Sequence, residues 1–190
     1  MPMVAVIYAT REGHTGKIAG CLVESLRARG LEAEAISVRS IEEPFDLARF
    51  DAAVLAASVH GGRHEHEMVE FVRRHRQELV GIRNAFVSVS LTEVIAEDEQ
   101  ASPEARAHAA GAVQRSIDTF YDATGWKPEQ VRAVAGALPY RRYSALVRFL
   151  VKRIVKSWGG PTDTTKDYEF TNWVAVRSLA DDLAGHLAPR

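Results

Sequence analysis

The segment Val4-Ala-Val-Ile-Tyr-Ala-Thr-Arg-Glu-Gly-His-Thr15 decides the fold of this chain. Its first six residues form a continuous apolar run, which is typical of a strand covered on both faces in a parallel sheet. A polar loop follows from Thr10, and a helical pattern begins directly after it and stops before Gly30. The segment therefore predicts a strand, a polar loop and a helix in succession. The apolar positions of the helix are Ile18, Leu22, Val23 and Leu26.

Four further stretches have the pattern of strands. Residues 52–58, 85–89 and 131–138 are continuous apolar runs of the same kind as the first. Residues 32–38 instead alternate apolar side chains with carboxylates, which suits an edge strand better. The sequence therefore predicts five strands, most of them covered on both faces.

Helical patterns lie between these strands. One helix opens with Ser102 as its N-cap and Pro103 at its first position, and it is expected to end at Gly125. Another begins at about Asn172. Strand and helix alternate five times, which predicts a doubly wound α/β sheet in one domain of residues 1–190. Two further apolar stripes are Met68, Phe71, Val72, His75 and Leu79, and Trp173, Val176, Leu179, Ala180, Leu183 and Leu187.

The size and charge of the chain exclude several classes of protein. A length of 190 residues fits one domain, and a formal net charge of -1 argues against a nucleic-acid binder. Cys21 is the only cysteine, so no intramolecular disulfide can form and a reducing setting is favoured. No basic leader precedes the first apolar run, and no run approaches the ~20 residues that span a bilayer. We therefore expect a cytoplasmic protein, and its oligomeric state stays open, a homo-oligomer included.

The polar loop of residues 10–15 could bind a phosphate. Hydroxyls, free backbone N–H groups and the positive end of a helix dipole would meet the anion there. Two nucleotide motifs fail on spacing, because a Walker A loop needs glycine where Arg11 stands and Ser or Thr where Ile18 stands. A dinucleotide fingerprint needs three spaced glycines, and only Gly13 and Gly16 are present. An ordinary strand-to-helix turn fits the loop alone equally well.

Two further loops follow predicted strands and are expected to lie beside the first. Residues 58–62 follow the third strand, and residues 88–92 follow the fourth. In an open α/β sheet the ligand binds beyond the carboxyl ends of the strands, where the strand order reverses. Gly61 and Gly62 would let the backbone approach a flat ring closely, although a tight turn is the simpler interpretation of this pair. The three loops together predict a ligand site.

Few side chains suggest other chemistry. His60, His64 and His66 lack cysteine partners and spread over a loop and a helix start, so solvated or ligand-contacting roles are favoured over a metal site. Cys21 is interpreted as a packed helix residue. No Ser-His-Asp arrangement, and no general acid or base, can be picked out.

Residues 139–160, called the basic insertion below, differ from the rest of the chain in charge. They contain six basic residues and no acidic one. On a helical wheel the apolar and basic residues fall on opposite arcs, which is the pattern of a helix that lies on an anionic membrane surface. Packing of the apolar arc on the domain is the alternative. The apolar arc is Leu146, Val147, Leu150, Val151, Ile154 and Trp158, and the basic residues are Arg141, Arg142, Arg148, Lys152, Arg153 and Lys156.

The loop of residues 10–15 resembles the FMN phosphate loop of the flavodoxins. Further stretches resemble one branch of that superfamily, the menaquinone-dependent protoporphyrinogen IX dehydrogenases, and the likeness covers nearly the whole chain. The insertion and the run after it are the specific part. These stretches are Ile41-Glu-Glu-Pro44, Ala57-Ser-Val-His-Gly61, Glu70-Phe-Val-Arg73, Ala85-Phe-Val-Ser-Val89, Ala135-Gly-Ala-Leu138, Tyr140-Arg-Arg-Tyr143, Gly159-Gly-Pro-Thr-Asp-Thr164 and residues 168–173.

The resemblance implies a flavodoxin-like, five-stranded parallel sheet of order 2-1-3-4-5 that binds FMN non-covalently. It also implies protoporphyrinogen IX as electron donor, menaquinone or another quinone as acceptor, and a role in haem biosynthesis at the cytoplasmic face of the membrane. The expected phosphate ligands are Thr10, Arg11, Glu12, Gly13, His14 and Thr15. The residues expected to flank the flavin ring are Ser58, Val59, His60, Gly61, Gly62, Ser88, Val89, Ser90, Leu91 and Thr92.

The chain departs from this family at two places. Residues 93–103 are acidic and would repel an anionic tetrapyrrole if their carboxylates faced the site, and Pro139 stands where a basic residue is expected. A flavodoxin-type electron carrier and an FMN-dependent quinone reductase with another donor therefore remain alternatives, as does a flavin-free scaffold. The carboxylates in question are Glu93, Glu97, Asp98 and Glu99.

Overall fold

The structure is a computed structural model, and it describes residues 1–187 except the side chains of Ser157, His186 and Leu187. The predicted apolar position of Leu187 therefore lies outside the described side chains. The strands are β1 (Met3–Ala9), β2 (Glu32–Ser37), β3 (Ala52–His60), β4 (Arg63–His64), β5 (Arg83–Ser90), β6 (Gln130–Ala135), β7 (Ala137–Leu138) and β8 (Tyr168–Glu169). The α-helices are α1 (His14–Arg27), α2 (His66–Gly81), α3 (Thr92–Glu97), α4 (Pro103–Thr124), α5 (Ala145–Ser157) and α6 (Trp173–Leu187).

Five strands pair in parallel in the order β2-β1-β3-β5-β6. This confirms the expected order 2-1-3-4-5, because the two-residue strand β4 lies off that path and pairs antiparallel with β3. Strand β1 has β2 on one side and β3 on the other, so the direction of winding reverses beside β1. A ligand crevice is expected at this reversal, outside the carboxyl ends of the strands.

Helices cover both faces of the sheet, as the continuous apolar runs predict. Along β1, Val4 and Val6 pack with α1 and α6, whereas Ala5 and Ile7 pack with α2 and α4. This alternation follows from the two-residue period of a strand. No helix within residues 1–187 is both long and apolar enough to cross a bilayer.

The predicted helix ends are largely confirmed. The Ser102 hydroxyl accepts a hydrogen bond from the Ala105 N–H at 3.2 Å, and α4 starts at Pro103 as expected. Gly125 ends the helix in a left-handed conformation with φ of 64°, which glycine adopts without steric cost. The predicted stripe of α2 is buried at all five positions. The short helix α3 was not predicted.

The sequence predicted that residues 131–138 form one strand covered on both faces, and this prediction is wrong. The run forms the edge strand β6, which leaves Val131 37% exposed, and then the separate strand β7, which pairs with β8. The break falls at Gly136, whose N–H donates to the Ser90 carbonyl at 3.0 Å. A Cβ at Gly136 would lie 3.4 Å from Val89 Cγ1, so the chain leaves the sheet at a position where its backbone approaches β5 closely.

The basic insertion folds as a 3-10 turn at Tyr140–Arg142 followed by α5. The predicted apolar arc is divided between two environments. Val151 and Trp158 pack with the fully buried Val155 in a small cluster around Tyr140. Of the remaining members, Val147 lines the cavity described below, whereas Leu146, Leu150 and Ile154, together with Phe149, are exposed to solvent, which packing on the domain alone does not explain. The most exposed of these apolar side chains are Leu146 at 69%, Ile154 at 63%, Phe149 at 58% and Leu150 at 50%.

Candidate functional site

A cavity of about 820 Å³ opens at the carboxyl ends of β1, β3 and β5. Its volume is in the usual range for a small-molecule or cofactor site. Every residue that the sequence analysis assigned to the site lines it, except Gly13 and Ser88. The sheet order therefore brings the three predicted loops together, as the rule for doubly wound sheets requires.

The loop of residues 10–15 is prepared for an anion. The Gly13 N–H donates to Thr10 Oγ1 at 3.0 Å, and Gly13 precedes α1 with a φ of 93° and no side-chain cap on the helix. Thr15 is only 1% exposed, yet its hydroxyl has no hydrogen-bond partner among residues 1–187. Buried polar groups are normally paired, so this hydroxyl indicates a ligand. A phosphate at the start of α1 would satisfy it and the free backbone N–H groups.

His14 faces partly away from the cavity. Its Nε2 lies 2.6 Å from Thr171 Oγ1, and that hydroxyl in turn donates to the Ala135 carbonyl at 2.7 Å. The hydroxyl must therefore accept from His14 Nε2–H, which leaves Nδ1 towards Glu169 at 3.6 Å. Burial lowers the pKa of His14, and the Glu169 carboxylate only partly opposes this. His14 thus anchors the loop to the segment before α6, and its backbone remains available at the cavity.

The two charged residues of this loop are engaged elsewhere. Arg11 Nη2 lies 3.3 Å from Glu65 Oε2, and Glu12 Oε2 lies 3.4 Å from His60 Nε2. Burial opposes ionisation of Glu12, but the interactions with His60 and Arg11 outweigh it and lower the pKa of the carboxyl. Glu12 is therefore an anion beside the cavity, held against His60 rather than against the start of α1.

Glu65 joins the loops after β1 and β3, and the sequence analysis missed it. Its side chain is 2% exposed. Ser58 Oγ donates to Glu65 Oε1 at 3.2 Å, and His60 Nε2 lies 3.1 Å from the same oxygen. With Arg11 on its second oxygen, the buried carboxylate holds both loops in place. Its position just before α2 was the only sequence signal.

The Gly61-Gly62 pair forms a tight turn, the simpler of its two interpretations. Both residues have positive φ, of 58° and 76°, and the turn joins β3 to β4 as a two-residue hairpin. Such turns require glycine-like conformations at both central positions. A Cβ at either glycine would meet no atom within 4 Å. The turn therefore also leaves open space at the cavity wall.

Ser88 lies behind the cavity instead of lining it. Its hydroxyl is 2.9 Å from His64 Nε2, and the His64 ring packs edge-on against Phe86 and Phe120 with centroids 5.0 Å and 5.1 Å away. Ser88 faces inwards because alternate residues of β5 point to opposite faces.

Among the described residues no group of three His, Cys, Asp or Glu side chains is arranged to hold a metal.

Burial lowers the pKa of His64 to about 4, and a hydrogen bond from the ring to the Ser116 backbone opposes this only in part. The folded protein thus keeps His64 neutral where the unfolded chain, with a pKa of about 6.5, binds a proton. We expect this group to destabilise the fold by about 3 kcal/mol as the pH falls from about 6.5 to about 4. Urea unfolding at several pH values measures the loss.

The matched variants for this prediction are His64→Phe and Ser88→Ala. His64→Phe keeps an aromatic ring against Phe86 and Phe120 but cannot titrate, so it should lose this part of the pH dependence. Ser88→Ala removes the hydrogen-bond partner of His64 but leaves the ring buried, so it should keep this part of the pH dependence. An unchanged pH dependence in His64→Phe would mean that the ring is not buried in its neutral form.

The acidic stretch after β5 does not face the cavity. Its first part lies in α3, and none of Glu93, Glu97, Asp98 and Glu99 lines the pocket, although Thr92 does. Burial, with Glu97 nearby, raises the pKa of Glu93. These carboxylates therefore do not lie in the pocket lining, where they would repel an anionic ligand.

Two cavity walls were not predicted from the sequence. One is a face of α4 that includes Arg115, Ser116 and Thr119, and the other belongs to the basic insertion. Polar residues one turn apart were the only signal on α4. From the insertion, Tyr143 reaches the cavity, and burial next to Glu12 raises the pKa of its phenol far above the usual 10, so it stays a hydrogen-bond donor. Arg142 reaches the loop of residues 10–15 itself.

Comparisons with known proteins agree with this geometry. A protein-family model described as a flavodoxin domain matches residues 5–165. The curated protoporphyrinogen IX dehydrogenase (quinone) of Escherichia coli strain K12 is 34% identical over 97% of this chain and 96% of its own. A protein of the same name from Leishmania major is 30% identical over 96% of this chain and 75% of its own.

The oxidised flavodoxin 1 of Bacillus cereus shares the fold. Its TM-score is 0.54 at 15% identity, over 98% of this chain and 99% of that one. A flavodoxin domain implies that the chain binds a flavin, and the cavity and the unpaired Thr15 hydroxyl fit one. The chain belongs to the flavodoxin-fold family of the protoporphyrinogen IX dehydrogenases (quinone).

Proposed function

We propose that the flavin is FMN, with its phosphate at the start of α1 and its ring between residues 58–62 and 89–92. The unpaired hydroxyl of Thr15 carries this proposal, because it marks one anion site beside free helix N–H groups. Among the described residues we find no second nucleotide-binding motif. Bound FMN would supply the two-electron chemistry, and the protein would supply position and electrostatics.

The chain's own residues would arrange this site in three ways. Glu65 fixes the loop of residues 10–15 against the β3–β4 hairpin, so the phosphate and ring positions are set together. Tyr143 offers a protonated phenol to a polar ligand atom. Val147 and Val151 of α5 add an apolar wall that excludes water from one side. Pre-set groups of this kind spare the reorganisation that binding would otherwise require.

We further propose that the chain oxidises protoporphyrinogen IX to protoporphyrin IX and passes the electrons to a quinone such as menaquinone, as part of haem biosynthesis. The names of the relatives support this reaction. The cavity supports it too, because its walls from α4 and the insertion extend beyond the three loops at the flavin. A pure electron carrier would need only an exposed flavin edge and a docking surface.

Stopped-flow reoxidation of the reduced protein tests the acceptor. We expect a soluble menaquinone analogue to reoxidise it much faster than NAD(P)+ does, because the sequence has no dinucleotide fingerprint. A rate with the analogue no faster than with buffer would contradict quinone as acceptor. Equal rates with NAD(P)+ would favour a different class of reductase.

A third part of the proposal places α5 on the cytoplasmic face of the membrane. Leu146, Phe149, Leu150 and Ile154 form an exposed apolar stripe on this helix. Lys152, Arg153 and Lys156 lie exposed beside it, and none of the three forms an ion pair with any described residue. An anionic lipid surface matches both features, because acyl chains accept the stripe and headgroups attract the cations.

The other three basic residues of the insertion serve the protein itself. Arg141 pairs with Asp167 at 3.3 Å, and Arg142 contacts the Glu12 carbonyl. Arg148 donates to the Tyr140 and Tyr143 carbonyls. The membrane proposal therefore rests on three cations rather than six. We also propose that residues 1–190 form one domain, since the basic insertion shares its small core with residues before it and after it.

A further inference from the structure

The loop at the start of α1 has no free cation of its own. Arg11 is held by the buried Glu65 at 3.3 Å, and Glu12 brings a negative charge. The unpaired Thr15 hydroxyl nevertheless indicates that an anion binds there. A cation beside this anion would then come from another part of the chain.

Arg142 of the basic insertion brings a guanidinium to this loop. Its Nη1 donates to the Glu12 carbonyl, and a Cβ built on Gly13 would lie 2.9 Å from the same nitrogen. The guanidinium thus lies against the backbone that precedes α1. Arg142 lines the cavity, and no carboxylate among the described residues forms an ion pair with it.

The turn that carries Arg142 is fixed in place. Tyr140 is fully buried, and its hydroxyl donates to the Pro161 carbonyl at 2.9 Å. Arg148 of α5 donates to the carbonyls of Tyr140 and Tyr143, each at 3.0 Å. The backbone on both sides of Arg142 is therefore held, and the guanidinium reaches the cavity from a rigid support.

We propose that Arg142 is an anion-binding residue of this cavity, contributed by the insertion to the loop of residues 10–15. Its ligand is an anionic oxygen group, either the phosphate of the flavin or a carboxylate of the tetrapyrrole. Guanidinium suits both, because its planar fork donates two parallel hydrogen bonds to such groups. The inference rests on the proposed function, since that function supplies both anions.

Arg141 is the matched control, because it is adjacent in sequence and has the opposite environment. Its N–H and its side chain both donate to Asp167, at 3.0 Å and 3.3 Å, and it does not line the cavity. Arg141→Gln and Arg142→Gln therefore remove the same charge from the same turn. Only the second removes a charge that faces the cavity.

Binding titrations test the proposal without an activity assay, with apoprotein of residues 1–190 for the flavins and the FMN-loaded protein for the porphyrins. The probes are FMN against riboflavin, which lacks the phosphate, and protoporphyrin IX against its dimethyl ester, which lacks the carboxylates. If Arg142 holds the phosphate, Arg142→Gln weakens FMN about tenfold or more and leaves riboflavin within about twofold. If it holds a carboxylate, the same contrast appears between protoporphyrin IX and its ester. Arg141→Gln should match the wild type for all four.

Two results would overturn the proposal. One is an Arg142→Gln variant that binds all four probes as the wild type does. The other is equal weakening of each anionic probe and its neutral partner, which would indicate a general loss of structure. Arg142→Lys should restore part of the affinity for the anionic probe, because the charge returns without the fork. A wild-type protein that binds neither flavin would instead contradict the proposed function.

Discussion

Thr15→Val is expected to weaken FMN binding by about tenfold to a hundredfold, because a hydrogen bond to a charged phosphate contributes roughly 1.5–3 kcal/mol. Valine has nearly the shape of threonine, so the start of α1 should keep its packing. The apoprotein of this variant should be more stable by about 1 kcal/mol, since an unsatisfied buried hydroxyl is removed. Flavin titration and urea unfolding measure the two opposite effects.

Thr124→Val provides the control for this prediction. Thr124 is also buried, but its hydroxyl donates to the Phe120 carbonyl at 2.8 Å and it does not line the cavity. That variant should lose stability and keep its affinity for FMN. If Thr15→Val bound FMN as tightly as the wild type, the phosphate would not lie at this hydroxyl.

A variant with Lys152, Arg153 and Lys156 all changed to Glu should lose at least about a hundredfold in affinity for anionic vesicles at low salt. Each basic residue near an anionic leaflet contributes about 1 kcal/mol, and the three make no ion pair within the described part of the chain. Arg148 is left unchanged, because it holds the turn before α5. Co-sedimentation with vesicles of increasing anionic lipid content gives the measurement.

The matched control reverses three exposed basic residues outside α5, namely Arg106, Lys127 and Arg177. It changes the net charge equally and should bind vesicles nearly as the wild type does. A second variant, Leu150→Ser with Ile154→Ser, keeps the charge and removes part of the apolar stripe, so it should also bind weakly. Equal loss in the control and the α5 variant would show a general charge effect instead of a docking helix. If the wild-type protein does not bind anionic vesicles at low salt, the proposed membrane contact is wrong.

The features that follow from local patterns could be predicted from the sequence. The run from Val4 to Thr15 predicts a buried strand and a ligand loop because strand period, glycine and hydroxyls all lie within a few residues. The N-cap at Ser102 and the stop at Gly125 are local in the same way. The alternation of strands and helices predicts the parallel sheet, and the family resemblance supplies the strand order that brings the loops to one edge.

The features that depend on distant contacts could not be predicted in this way. Glu65 becomes important only because it is buried against Arg11 and His60, which lie on other loops. The break at Gly136 depends on its approach to Ser90 across the sheet. The wheel of α5 gave an apolar arc but could not show that Val151 packs on the protein while Ile154 is exposed, and the arc did not include the buried Val155.

The most direct test of the central claim is an anaerobic assay of the FMN-loaded wild-type protein with protoporphyrinogen IX, with and without a menaquinone analogue. Protoporphyrin fluorescence follows the product. Conversion of one porphyrinogen needs three two-electron turnovers, so without the analogue the yield should stop at about one third of the bound flavin, and with it the reaction should run to completion. A yield that stays at the level of buffer with the analogue present would contradict the account, even if FMN is tightly bound.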